Sequence, residues 1–240
     1  MWSICKKEFN QFFSNLIGYI SIVLFLLING LFLFVLQDSS IFEYGYASLD
    51  KFFDLAPWVL LFLVPAISMR TLSDEFKSGT FEILKTKPLS ARQIVLGKYL
   101  AILFIILIVL LPTCTYVITI KSLSATGTID SGGIFGSYIG LFLLSAAFAA
   151  ISLCCSGLTS NAVIAFLLSA FVCLLLYFGF NAISKLPVFQ GSADYYIEML
   201  GIDFHYRSIS RGVLDSRDVI YFASLAIFAI FITEKKLQHK

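Results

Sequence analysis

Residues 98–120 read KYLAILFIILIVLLPTCTYVITI, and after Lys98 this stretch contains no acidic or basic side chain. A helix that crosses a bilayer needs about 20 mostly apolar residues, so the run is long enough to be a membrane span. The whole chain agrees, since 59% of its 240 residues are hydrophobic, 13% are charged and the mean hydropathy is +0.91. Soluble domains carry about 25% charged residues. The composition excludes a soluble enzyme and predicts an all-α integral membrane protein.

Six apolar stretches predict six membrane spans. Their approximate bounds are 17–36, 55–72, 98–120, 134–156, 162–184 and 218–233. With this arrangement 11 Lys and Arg residues fall on one side of the membrane and six on the other. The positive-inside rule therefore predicts both termini and a loop over 73–97 in the cytoplasm, with segments 37–54 and 185–217 outside.

The N-terminal residues 1–16 have the pattern of an amphipathic helix. Trp2, Cys5, Phe9, Phe12, Phe13 and Leu16 recur at helical spacing, while Lys6, Lys7 and Asn10 fall elsewhere. The pattern predicts a helix in the headgroup layer, ahead of a single six-helix domain over 17–240. The alternative is an ordinary lead-in to the first span with one hydrated face.

The spans contain few side chains that could take part in catalysis or ion transport. Asp, Glu, Lys, Arg and His are missing from their central parts, which argues against an ion-coupled carrier. No nucleophile–base pair, metal spacing or complete P-loop is present, so we expect no catalytic residue, no metal site and no cofactor on this chain. The remaining polar side chains are expected to join helices: Asn29, Ser68, Thr113, Thr115, Tyr116, Ser145, Ser152, Ser169 and Asn181.

Small residues recur in the fourth span at Gly132, Gly136 and Gly140. Small residues four positions apart let helix backbones approach closely. We favour tight static packing against a neighbour in the same chain, and the alternative is a sliding surface in a moving transporter.

The loop over 73–97 has the pattern of a helix, a break and a second helix. Gly79 interrupts the extension of the second span, Thr80 is a candidate helix cap, and Glu82 suits the first turn of a short helix. Phe81 and Leu84 are then available as apolar side chains on a rigid turn.

The same loop contains two further boundaries. Pro88 is expected to end the short helix, because the residue before a proline is disfavoured in helical conformation. Ser90 and Gln93 have the spacing of a capping box that opens the helix entering the third span.

The series Glu75-x-x-x-Gly79-Thr80-x-Glu82-x-Leu84, then Pro88, then Gly97-Lys98, resembles the signature of the ABC-2 type permeases. These are membrane subunits of ATP-driven exporters, and the resemblance implies a coupling helix that docks on a separate ATPase. It assigns coupling roles to Glu75, Gly79, Thr80, Phe81, Glu82, Leu84 and Pro88, with Glu75 as either a brace or a partner contact. Gly97 and Lys98 are part of the structural motif.

The resemblance also implies partners and a location. It predicts an ABC ATPase dimer that holds ATP and Mg²⁺, and a second permease subunit, identical or different, in a bacterial inner membrane. Spans one and five would lie near that subunit, with Asn29 and Phe171 as contact positions. The net charge of +2 gives no reason to expect nucleic acid.

A narrower resemblance, to the gliding-motility branch of the family, involves Lys7-Glu8-Phe9, Gly18-Tyr19, the segment 25–30, Phe204-His205-Tyr206 and the segment 209–215. It implies transport or conformational work in a motility or secretion machine. The alternative is a structural subunit that anchors such a machine without moving cargo.

The outer segment 185–217 is apolar for a loop. Residues 186–189 are apolar, and Tyr195, Tyr196, Ile197, Met199 and Leu200 predict a short helix. Gly212 suits a helix C-cap, and Asp215 suits the N-cap of the sixth span. A plain folded loop is the alternative.

Overall fold

The computed structural model describes residues 1–36, 48–123, 130–187, 191 and 193–238. The predicted outer segments 37–54 and 185–217 therefore lie partly outside the described residues. Within the described part the chain is all-α, as predicted.

The helices follow one another with short breaks. Their bounds are α1 Trp2–Phe13, α2 Leu16–Phe34, α3 Asp50–Ser68, α4 Arg70–Lys77, α5 Thr80–Lys85, α6 Ala91–Leu110, α7 Cys114–Leu123, α8 Ser131–Leu158, α9 Ala162–Leu174, α10 Phe180–Ser184, α11 Asp194–Glu198, α12 Ile202–Ile209 and α13 Ser216–Gln238. A 3₁₀ turn joins α6 to α7, and a π-helical turn joins α9 to α10.

Among the residues that the structure describes, five continuous helical stretches are long and apolar enough to cross a membrane. They cover Asp50–Lys77, Ala91–Leu123, Ser131–Leu158, Ala162–Ser184 and Ser216–Gln238. A sixth span is formed if α1 and α2, which meet at a bend of 70°, are taken as one. The predicted multi-pass membrane architecture is confirmed.

Helix α8 lies at the centre of the bundle. It packs against α3, α6, α9 and α13, and alanines such as Ala147, Ala149 and Ala150 are fully buried along it. Small side chains on one helix let several neighbours approach it at once.

Gly136 and Gly140 of α8 pack against the outer segment rather than against another span. A Cβ atom at Gly136 would lie 2.7 Å from the carbonyl oxygen of Gly212, and one at Gly140 would lie 2.5 Å from Ile209 Cγ2. Gly136 and Gly140 therefore pack tightly against another part of the same chain. A Cβ atom at Gly132 would meet only the side chain of Asp130, so the prediction of close helix packing is wrong there.

Some of the span hydroxyls join helices as predicted, as Thr113 Oγ1 does at 3.0 Å from the Tyr138 hydroxyl of α8, and others do not. Ser68, Ser145 and Ser169 donate to carbonyl oxygens four residues earlier in their own helices. Tyr116 does join helices, because its hydroxyl donates to the carbonyl oxygen of Leu26, 2.9 Å away. Asn29 is 1% exposed and donates within α2, so the prediction that it is a surface contact position is wrong.

The outer segment is folded in its described part, which argues against the plain-loop alternative. Asp215 caps α13 by accepting a hydrogen bond from the Arg217 backbone N–H, as predicted. Gly212 has a positive φ of 83° but lies two residues beyond the C-cap residue Ser210, so its predicted position is wrong.

Candidate coupling site

A fully buried lysine joins three helices at one end of the bundle. Lys98 Nζ, on α6, lies 2.8 Å from Glu8 Oε1 of α1 and 2.9 Å from Glu75 Oε1 of α4. It also donates to the carbonyl oxygen of Thr71. The Lys98 ammonium group thus has two hydrogen-bond acceptors, Glu8 and the Thr71 carbonyl, and a second ion-pair partner in Glu75. A charge this deeply buried needs such partners to be tolerated.

Lys7 extends this charged cluster toward solvent. Its Nζ lies 2.9 Å from Glu75 Oε1 and 3.5 Å from Glu8 Oε1. Partial burial lowers the pKa of Lys7, but the hydrogen bond and charge of Glu75 and the charge of Glu8 outweigh it, so the pKa is raised. We call Lys7, Glu8, Glu75 and Lys98 the charge cluster. Of the two roles left open for Glu75, this geometry is that of a brace.

Gly97 lets α1 lie directly on α6. A Cβ atom at Gly97 would fall 2.9 Å from the Met1 carbonyl oxygen and 3.0 Å from Ile4 Cβ. The side chains of Ile4 and Cys5 are consequently buried. The Gly97-Lys98 pair thus forms the seat for the N-terminal helix: glycine provides the close approach and lysine provides the ion pairs.

The end of α8 holds the junction between α3 and α4. Ser156 Oγ accepts hydrogen bonds from the backbone N–H groups of Leu72 and Ser73, both at 3.2 Å, and donates to the Met69 carbonyl oxygen at 2.9 Å. Helix α4 is therefore attached to α1, α6 and α8 together. Sequence analysis missed Ser156, which looks like any other small residue of a span.

The turn between α4 and α5 is built on Gly79, which has a left-handed φ of 69°. Gly79 itself occupies the N-cap position, so the prediction that Thr80 caps the helix is wrong; the Thr80 hydroxyl instead lies 2.9 Å from Ser78 Oγ. Glu82 lies in the first turn, as predicted.

The predicted boundaries after α5 are also found. Helix α5 ends at Lys85, before Pro88. Ser90 Oγ accepts from the Gln93 backbone N–H and the Gln93 side chain accepts from the Ser90 backbone N–H, which confirms the capping box.

Phe81 is not the free apolar side chain that the sequence suggested. It is 6% exposed and packs edge-on against Phe76, with ring centroids 5.0 Å apart. Leu84 is half-buried, whereas Ile83 is 63% exposed and presents the apolar surface of α5. The prediction that Phe81 is available is wrong because only tertiary contacts decide which face of a six-residue helix is covered.

The architecture is that of a multi-pass helical membrane protein with a braced helical turn at one end. A family model described as ABC-2 family transporter protein matches residues 38–195, well over half of the chain. The chain belongs to this family, whose members are membrane subunits rather than enzymes. No curated protein matches the sequence.

Proposed function

We propose that the chain is the permease subunit of an ABC-2 transporter and that α5 receives force from a separate ATPase. The observation that carries the proposal is the charge cluster. Because Lys98 pairs with both Glu8 and Glu75, displacement of α4 would move α1 and the base of α6 with it. A flexible loop would absorb that displacement.

The surface of α5 suits a docking role. Ile83, Glu82 and Lys85 are exposed on it, and Phe81 and Phe76 support it from within. Gly79 and Pro88 set its two ends. In this proposal Phe81 acts as internal support, Leu84 borders the contact, and Glu75 and Lys98 transmit movement.

The proposed partners follow from the family and from the exposed faces of the bundle. ATP and Mg²⁺ would be bound by an ATPase dimer and not by this chain. A second permease subunit would lie against α2 and α9, where Phe171 is 61% exposed. Helix α1 would lie in the cytoplasmic headgroup layer of a bacterial inner membrane, with both termini cytoplasmic.

Substitution of Ile83 by Asp tests the docking surface. Loss of an interface anchor costs about 2 kcal/mol or more, so we expect at least a roughly tenfold loss of ATPase affinity, measured by co-purification and by ATP hydrolysis of the reconstituted complex. Val213→Asp is the matched control, because Val213 is 62% exposed at the opposite end of the bundle.

Normal ATPase binding by the Ile83→Asp variant would contradict the docking assignment. If the wild-type complex binds the ATPase but hydrolysis responds to no translocated molecule, the chain is an anchoring subunit instead.

We further propose that the transporter is the gliding-motility one and that this chain is its permease F subunit. Sequence resemblance supports this finer assignment. Several of the shared residues have structural roles here, since Glu8 pairs with Lys98 and the Tyr206 hydroxyl donates to the Phe53 carbonyl oxygen. The test is therefore physiological: deletion should abolish cell gliding, and wild type but not Ile83→Asp should restore it.

A further inference from the structure

A groove of about 520 Å³ lies at the end of the bundle opposite the charge cluster, along α11, α12 and the start of α13. Small-ligand sites have volumes of roughly 300–1,000 Å³. The groove combines charged side chains of both signs, among them Arg211, Arg217 and Asp218.

Asp218 is a buried carboxylate with one oxygen unused. It is 5% exposed, and its Oδ1 lies 2.6 Å from His205 Nδ1. The other ring nitrogen of His205 lies 2.9 Å from the Met199 carbonyl oxygen, and the ring stacks on Tyr221. Asp218 Oδ2 has no hydrogen-bond partner among the described residues. A buried acceptor left without a donor is costly, so a ligand that brings an N–H group would be stabilised there.

Two arginines that line the same groove are uncommitted. Arg211 and Arg217 are exposed, and their guanidinium groups have no hydrogen-bond or ion-pair partner in the described parts of the chain. By contrast, Arg207 is bound to Glu198 and Asp203. Guanidinium groups match the geometry of phosphate oxygens and bind them through paired hydrogen bonds.

The surroundings of the groove have the character of a membrane interface. Tyr195 is 58% exposed, Tyr196 is 71% exposed and Leu200 is 58% exposed. Tyrosines are enriched at the depth of lipid headgroups, where the ring is apolar and the hydroxyl is hydrated. Exposed tyrosines and an exposed leucine beside the groove therefore favour a ligand from the headgroup layer over a free solute.

We propose that this groove binds the phosphate–ammonium headgroup of a phospholipid of the phosphatidylethanolamine type. The phosphate binds Arg211 and Arg217, and the ammonium group donates to Asp218 Oδ2. The site is independent of ATPase docking, because its residues lie at the other end of the bundle.

The test uses the full chain in mild detergent with dihexanoyl phosphatidylethanolamine, dihexanoyl phosphatidylcholine and soluble phosphoethanolamine as probes, and native mass spectrometry as the readout. Choline carries a positive charge but has no N–H donor. A hydrogen bond to a charged group contributes about 1.5–3 kcal/mol, so we expect the ethanolamine lipid to bind at least roughly tenfold more tightly than the choline lipid. Equal affinities would overturn the proposal.

Variants locate the site. Arg211→Ala with Arg217→Ala should weaken binding of the ethanolamine lipid at least roughly tenfold, since two charge-assisted contacts are lost. Arg92→Ala removes an exposed arginine outside the groove and should leave binding unchanged. Wild-type affinity in the double variant would overturn the proposal.

Asp218→Asn removes the carboxylate and should abolish most of the preference for ethanolamine over choline. If that variant fails to fold, the arginine variants still decide the outcome, because their side chains are exposed. If soluble phosphoethanolamine binds as tightly as the lipid, the proposal that the ligand is a lipid is wrong. Only the proposed headgroup chemistry then stands.

Discussion

At the α1 end of the bundle a cluster of four charged side chains joins three helices, whereas at the opposite end the outer segment meets α8 by close backbone packing. Lys98 pairs with Glu8 and Glu75 across three helices. At the other end, a Cβ atom at Gly136 would lie 2.7 Å from the Gly212 carbonyl oxygen, so the chain segments are already in contact.

The difference suggests different mechanical roles. A buried ion pair resists separation strongly, because a charge that loses its partner in the low-dielectric interior has no water to replace it. Such a cluster can carry displacement from one helix to another. Where glycine backbones are already in contact, the two chain segments cannot move closer together. The outer segment is therefore suited to closing this end of the bundle rigidly.

Substitution of Lys98 by Met should have the largest effect, because it removes the buried partner of Glu8 and Glu75 and leaves them only the half-exposed Lys7. Breaking a buried pair in this way costs about 3–5 kcal/mol. We expect α1 to detach, which would expose Cys5. That thiol is 3% exposed and burial raises its pKa, so it should react slowly with maleimide in the wild type and quickly in the variant.

The labelling is measured in a background in which the other four cysteines are replaced by serine. Lys77→Met is the matched control, since Lys77 is an exposed lysine at the end of α4. Equal maleimide reaction rates for Cys5 in the Lys98→Met variant and the control would show that the charge cluster does not hold α1.

Alanine at Gly136 should have the next largest effect and should separate the two ends. Overpacking of this kind costs about 1–3 kcal/mol, which would lower the thermal midpoint in detergent while Cys5 stays protected. Alanine at Gly97 would place a Cβ atom 2.9 Å from the Met1 carbonyl oxygen and should expose Cys5 instead. Faster labelling of Cys5 in the Gly136→Ala variant would show that the two ends of the bundle are not independent of each other.

Ser90→Ala should have the smallest effect. Loss of an N-cap costs about 1 kcal/mol, and Ser90 is exposed at the start of α6, so only the first turn should fray. Hydrogen exchange of the Gln93 and Ile94 amides, which bond to Ser90, should accelerate while the Cys5 labelling rate does not change. Ser160→Ala, at another exposed serine, is the control. If that variant also accelerates hydrogen exchange at the start of α6, the effect of Ser90→Ala is not a capping effect.

Several local features of this chain could be predicted from sequence because neighbouring residues alone decide them. The spans follow from runs of apolar residues, the capping box from Ser90 and Gln93, and the cap of α13 from Asp215. The predictions for Thr80 and Phe81 were wrong because they concern which residue begins a short helix and which of its faces is covered. The first outcome follows from the left-handed φ of 69° at Gly79 and the second from the contact of Phe81 with Phe76 of α4, and residue spacing contains neither.

Hydropathy and cap spacing are local properties, so the order of residues is enough to establish a helical membrane protein with a structured loop between its second and third spans. The pairing of Lys98 with Glu8, 90 residues away, and with Glu75 becomes visible only in the folded chain. A lysine at the end of an apolar helix usually extends its charge toward water. Lys98 is buried because Gly97 lets α1 cover it, and the carboxylates of Glu8 and Glu75 then take the place of water around its charge.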